Sequence, residues 1–170
     1  MLSRRQLLAA SPTTLPLFLA LSGCKGPAVL SAPPHPSQQT QVLLHAVAAE
    51  QNLIWVYAKV MALYPALAGP LAPLRAEHEA HLDQLRARVI EPPGPQSPAP
   101  GLDHAVAARP LIAGPQAAAL VQLRALELAA VTAQMGRLAA APASLAQLYA
   151  SIAACESTHV GVLTARISTR

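Results

Sequence analysis

Cysteine is almost absent from this chain. Cys24 and Cys155 are the only two in 170 residues, so no disulfide framework is expected and a site built from several thiolates is excluded. Aromatic residues make up 3 % of the sequence, and the few positive charges are scattered, which removes support for nucleic-acid binding. No Ser/His/Asp nucleophile motif, phosphate-cradling glycine loop or Cys-x-x-Cys pair occurs, setting aside hydrolase, nucleotide and thiol-redox chemistry. Runs of β-branched residues are also scarce. What remains is a chain dominated by alanine and leucine whose prolines fall mostly at breaks, a composition that favours an all-α fold.

The first 24 residues combine a basic start, an apolar stretch and a small-residue end, the layout of an export signal. The apolar run is too short and too proline-broken to span a membrane. Leu21-Ser22-Gly23-Cys24 resembles the lipobox of bacterial lipoproteins, which implies that Cys24 is acylated and becomes the first mature residue. The protein would then be tethered to the outer face of the bacterial cytoplasmic membrane through a disordered Pro/Ser/Gln-rich segment, 25–40. Arg4 and Arg5 resemble a twin-arginine signal, with Leu7 where that pattern prefers Phe; general secretory export is the alternative. Loss of Arg4 and Arg5 lowers the formal charge from +4 to +2.

Helical spacing of apolar residues and proline breaks predict four helices, at about 41–64, 73–90, 115–140 and 143–168. Pro65 and the Gly69-Pro70 pair are expected to end the first, and Ser144 to cap the fourth. The first and last connections are short, whereas the middle one, 91–115, is long and proline-rich. Two antiparallel hairpins joined by one long crossover follow, packed as a single four-helix bundle over 41–168. An internal repeat supports two related halves. Shifting the second helix by 78 positions aligns His81 with His159 and Leu85 with Leu163, and shifting the first by 77 aligns Glu50 with Glu127.

Only eight acidic residues are present, and three of them sit on apolar helix faces. Glu50 lies among Ala46, Val47, Leu53 and Ile54; Glu127 has Leu123, Ala130 and Val131, with Arg124 its one charged neighbour; Glu156 has Ile152, Ala153 and Val160. A carboxylate on such a face costs several kcal/mol to desolvate unless paired or metal-bound. Glu156-Ser157-Thr158-His159 reads Glu-x-x-His, whose two side chains share a helical face and converge on one inward point. The second helix carries Glu77-His78-Glu79-Ala80-His81. Carboxylate with imidazole suits iron, manganese or zinc. The plainer alternative is a set of separate ion pairs, Glu50 with Lys59 or an arginine and Glu127 with Arg124, beside a solvated face of Glu77, Glu79, Asp83, Arg75, Arg86 and Arg88.

Over about 41–167 these positions make the chain similar to the ferritin-like superfamily, most closely to the uncharacterised ferritin-like domains of bacterial exported lipoproteins. The resemblance implies Glu50 and Glu127 as terminal carboxylates, Glu156 as a bridge, His81 and His159 as imidazole ligands, and iron or manganese, with zinc less favoured, supporting oxidation by dioxygen or peroxide. One departure stands out. The slot three before His81 holds His78 in place of glutamate, with Glu77 one residue earlier, which lowers the site's negative charge and leaves one metal, or none, as alternatives to two. Two functions follow: a membrane-tethered metalloprotein for redox or metal handling, or a non-enzymatic cell-envelope scaffold with a degenerate site. The expected partner is the membrane, through the anchor; nucleic acid is excluded and a homodimer is allowed. Cys155 is read as a small core residue, with a soft metal ligand or a redox thiol as alternatives, His45 as a surface or orienting residue, and Trp55, Tyr57 and Tyr64 as packing with polar tips near water.

Overall fold

A computed structural model describes residues 37–89, 110–112 and 114–169, which lie in one compact unit. The expectations for Arg4, Arg5, Cys24, the tether up to residue 36 and the crossover over 90–109 fall outside the described residues. The fold is all-α: α1 (Gln38–Leu63), α2 (Ala68–Arg86), α3 (Gln116–Leu138) and α4 (Ala143–Ser168) pack as two hairpins, α1 with α2 and α3 with α4. No helix among the described residues is long and apolar enough to cross a membrane.

Helix ends show where local chemistry outweighed the sequence pattern. α1 begins three residues earlier than expected because the Ser37 hydroxyl accepts the Thr40 N–H, so that Gln38, Gln39 and Thr40 are helix and not tether. Pro65 does end α1, through a single 3-10 turn (Pro65–Leu67). The Gly69-Pro70 pair, expected as a stop, instead lies in the first turn of α2, where backbone N–H groups have no intrahelical acceptor and proline loses nothing. Pro73 follows inside that helix. At the α4 start Pro142 occupies the cap position and no side chain caps it, so Ser144 does not serve as the N-cap.

The core falls into two apolar clusters. One joins Val56, Tyr57 and Val60 of α1 to Leu71 and Leu74 of α2, Leu120 and Leu123 of α3, and Leu163 of α4. The other joins Leu43, Ala46 and Val47 to Leu82, Leu85, Leu148 and Ile152. The late turns of α1 and α4 therefore share an end with the early turns of α2 and α3, so α1 and α4 run one way and α2 and α3 the other. Val89 packs on the second cluster and Ile112 belongs to the first, so the chain leaves one end of the bundle and re-enters at the opposite one. Gly114, in the left-handed region at φ +93°, turns the chain into α3, and its carbonyl accepts the Tyr64 hydroxyl at 2.5 Å.

Candidate metal centre

Between the two apolar clusters lies a buried polar layer: Glu50, His78, His81, Glu127, Gln134, Glu156 and His159. Each helix supplies part of it from its inward stripe, with Glu50, Glu127 and Glu156 near the middle of α1, α3 and α4 and Gln134 two turns further along α3. Burial of such groups demands compensation, and the layer supplies part of it internally. His78 stands at the centre. Its Nδ1 lies 2.8 Å from Glu50 Oε2 and its Nε2 2.9 Å from Glu127 Oε1, so the ring donates to both carboxylates only as an imidazolium. Burial alone would lower its pKa; the two carboxylates outweigh that and raise it to about 10.

Glu127 is the most heavily bonded member. Its Oε1 accepts from the Tyr57 hydroxyl, from His78 and from His159 Nδ1 at 3.2 Å. Burial pushes its pKa up, yet the His159 and His78 hydrogen bonds bring it down to about 2. Glu50 is treated similarly: burial opposes ionisation, but His78 and His81 hold the pKa below the usual carboxylate value. Neither glutamate uses the partner that simple ion pairing would assign. Arg124 and Lys59 are exposed, while Glu50 and Glu127 are both fully enclosed.

Glu156 is different. Neither of its oxygens has a hydrogen-bond partner among the described residues, and burial together with the charges of Glu50 and Glu127 raises its pKa to about 8. Glu127 Oε2 and His81 Nδ1 are likewise buried without a hydrogen bond, the latter 3.7 Å from Glu50 Oε2, too far for one. At neutral pH the layer thus sets the Glu50 and Glu127 carboxylates against the His78 imidazolium, with Glu127 and Glu77 favouring the charged form of His159 and a protonated third carboxyl, Glu156, beside them. Four unpartnered ligand atoms remain aimed into one layer.

Two groups of ligand atoms converge there. Glu50, His78, His81 and Glu156 form one, and His78, Glu127 and His159 the other, the atoms of each lying within 4.8 Å of one another. The repeat is visible in space: His81 faces Glu50 as His159 faces Glu127, while the equivalent slots at 78 and 156 hold His and Glu. Glu77, one residue before His78, faces outward. Its side chain is 52 % exposed and meets the outer nitrogen of His159, Nε2, at 2.5 Å. It orients that ring and does not enter the buried layer. Glu79 pairs with Arg75 on the solvated face, and His45 is exposed.

Two members were missed by sequence reasoning. Tyr57, expected to hold its tip near water, is fully buried with its hydroxyl on Glu127. Gln134 is buried on α3, its Nε2 3.4 Å from Glu50 Oε1 and its Oε1 accepting from Arg137 at 2.9 Å. A signal for both existed. Each lies seven residues, two turns, beyond its own half's glutamate, and the same 77-residue shift that relates Glu50 to Glu127 relates Tyr57 to Gln134.

Comparison with protein-family models, with curated proteins and with solved structures finds no match to this chain.

Proposed function

We propose that this chain is a ferritin-like metal-binding bundle, lipidated at Cys24 and tethered to the outer face of the bacterial cytoplasmic membrane, that holds iron or manganese for redox or metal-handling work. The observation that carries the reading is the set of four buried ligand atoms without partners, Glu156 Oε1 and Oε2, Glu127 Oε2 and His81 Nδ1, in a layer that four helices build. Orphaned polar atoms of this kind cost about 1–3 kcal/mol each, and a shared cation removes that cost. The donor set, carboxylate with imidazole and no thiolate in the buried layer, fits iron or manganese.

Glu50, Glu156 and His81 would hold the ion on one side, and Glu127 with His159 Nδ1 on the other. A neutral His78 offers one lone pair and keeps one N–H, so it can ligate on a single side while donating to the carboxylate opposite. Bound iron or manganese would supply one-electron chemistry toward an oxidant. The chain's own residues exclude water, since the layer is closed at both ends by apolar clusters, and they hold protons at Glu156, His78 and His159 that must leave when a cation enters. Tyr57 donates to Glu127, and its burial and the adjacent carboxylates raise its pKa, keeping the phenol protonated.

A second reading has its own observation. Because His78 already bridges Glu50 and Glu127, the bundle carries an internal counter-ion, which suits a scaffold whose metal site has decayed. The deciding experiment is metal content of protein isolated through its native export route, with thermal melts in Mn2+ or Fe2+. A native-state ligand at about 100 times its Kd adds about 2.7 kcal/mol of stability. Metal-free protein with no shift in Tm would leave the scaffold reading.

A further inference from the structure

A third convergence of ligand atoms lies at the outer edge of the buried layer and shares His159 with it. Cys155 and His159 stand one turn apart on α4, and Glu77 approaches them from α2. Cys155 Sγ is 3.1 Å from Glu77 Oε2 and 3.7 Å from His159 Nε2, and Glu77 Oε2 is 2.5 Å from that same nitrogen. Sulfur, nitrogen and oxygen thus face one another at the partly open edge of the bundle, with a buried imidazole as the inner wall.

We propose that Glu77, Cys155 and His159 form a second metal site, for a thiophilic ion such as Zn2+ or Cd2+, whose occupation competes with the buried centre through His159. The competition rests on the buried-centre reading; the site itself does not. Ligand atoms around a tetrahedral zinc-class ion stand roughly 3.4–3.6 Å apart, given bonds of about 2.0–2.3 Å. The sulfur-to-nitrogen separation already matches, and the half-exposed Glu77 carboxylate needs to withdraw by only about 1 Å. Thiolate selects soft ions, whereas the thiol-free buried layer suits harder ones. Three protein ligands leave a further position for water or another molecule, as in exchangeable and catalytic sites.

Free Cys155 is not built as a redox sensor. Burial and the nearby Glu77 carboxylate push its pKa up to about 12, so the thiol stays protonated until an ion displaces the proton to solvent. Competition follows from tautomers. A neutral His159 that ligates a thiophilic ion through Nε2 carries its proton on Nδ1, which then donates to Glu127 and cannot ligate inward. Ligation of the buried centre through Nδ1 leaves the proton on Nε2, pointing at Glu77 and closing the outer site.

The test uses the full chain carrying Cys24→Ser, so that Cys155 is its one thiol. Titration with Cd2+ is expected to produce a thiolate-to-metal charge-transfer band in the ultraviolet, lost on adding Cys155→Ser. Saturating Mn2+ added first should suppress that band, and Cd2+ added first should reduce the Mn2+-induced rise in Tm. Absence of the band, or its persistence in Cys155→Ser, overturns the site. A band indifferent to Mn2+ that has demonstrably raised Tm overturns the competition. A band with no Mn2+ effect on Tm at all upholds the outer site while refuting the buried-centre reading.

Discussion

Replacing Glu156 by Gln should make the metal-free protein more stable and the metal response weaker. In the metal-free state the Glu156 carboxyl is buried, has no hydrogen-bond partner among the described residues, and has its pKa raised to about 8 by burial and by Glu50 and Glu127. A folded-state pKa above the unfolded value of 4.5 means that stability is fully present below pH 4.5 and is lost progressively as pH rises through about 8. By pH 7 that loss is on the order of 3 kcal/mol, since each pKa unit is worth about 1.4 kcal/mol. Gln cannot ionise and so escapes this loss, and its amide can donate to the unpartnered Glu127 Oε2. Against that stands the residual cost of an imperfectly bonded buried amide, about 1–3 kcal/mol. By pH 8 the loss reaches about 4 kcal/mol, so the net expectation there is a gain of about 1–3 kcal/mol, worth roughly 4 °C in Tm per kcal/mol, shrinking to nothing or reversing at pH 5. Calorimetric melts in chelator at pH 5, 7 and 8, then repeated with Mn2+, measure both arms. A variant less stable than wild type in chelator at pH 8, or one that keeps the full Mn2+ shift, would refute the reasoning.

Metal-free wild type should be most stable in the mildly acidic range. The lowered pKa values of Glu50 and Glu127 contribute stability that is present above pH 4.5 and lost in more acid solution, for Glu127 as pH falls toward about 2, while the His78 contribution is present below pH 6.5 and lost as pH rises toward about 10. Chemical-denaturation curves between pH 4 and 9 locate that maximum, and the Mn2+-induced increment should grow toward alkaline pH as ligand protons become easier to displace. Tyr57→Phe removes one of three donors to Glu127 and should lower stability in chelator by about 1.5–3 kcal/mol, measured as a shift in denaturation midpoint at unchanged slope. His78→Glu should lower stability in chelator by several kcal/mol, because it replaces the internal cation by a fourth carboxyl. The same variant should bind Mn2+ with higher stoichiometry by elemental analysis; no increase would mean that the layer cannot hold a second ion.

The four helices were legible because their evidence is local: proline breaks, apolar spacing and a repeat at 77–78 residues mark them without tertiary information. Boundaries were less so, since a proline reads identically whether it stops one helix or opens the next. Gly69-Pro70 did the second. The buried glutamates were legible because a rare acid among alanines and leucines is costly to explain otherwise. Glu77 was harder, for residues one position apart diverge by about 100° around a helix, a consequence of 3.6 residues per turn, and only coordinates tell which faces inward. His78 took the inner slot, and Glu77 reached the outside of His159.

What could not be read from one sequence is that a substitution in a ligand pattern can change the sign of a site's charge problem. In the aligned halves, position 78 corresponds to 156, and the pattern treats histidine there as a missing carboxylate. In space that histidine lies between Glu50 and Glu127, bonds to both and cancels one of their two negative charges, so the loss of one anionic ligand is also the gain of a cation. The two effects point in opposite directions for metal affinity and for metal-free stability. A glutamate at 78 would strengthen ion binding and leave the empty bundle with four mutually repelling carboxyls. With histidine the layer carries a cation of its own, which reduces the charge compensation that a metal would have to supply. The partner-free oxygens of Glu156 remain as the part of the layer that His78 does not reach, and it is there that a cation has the most to gain.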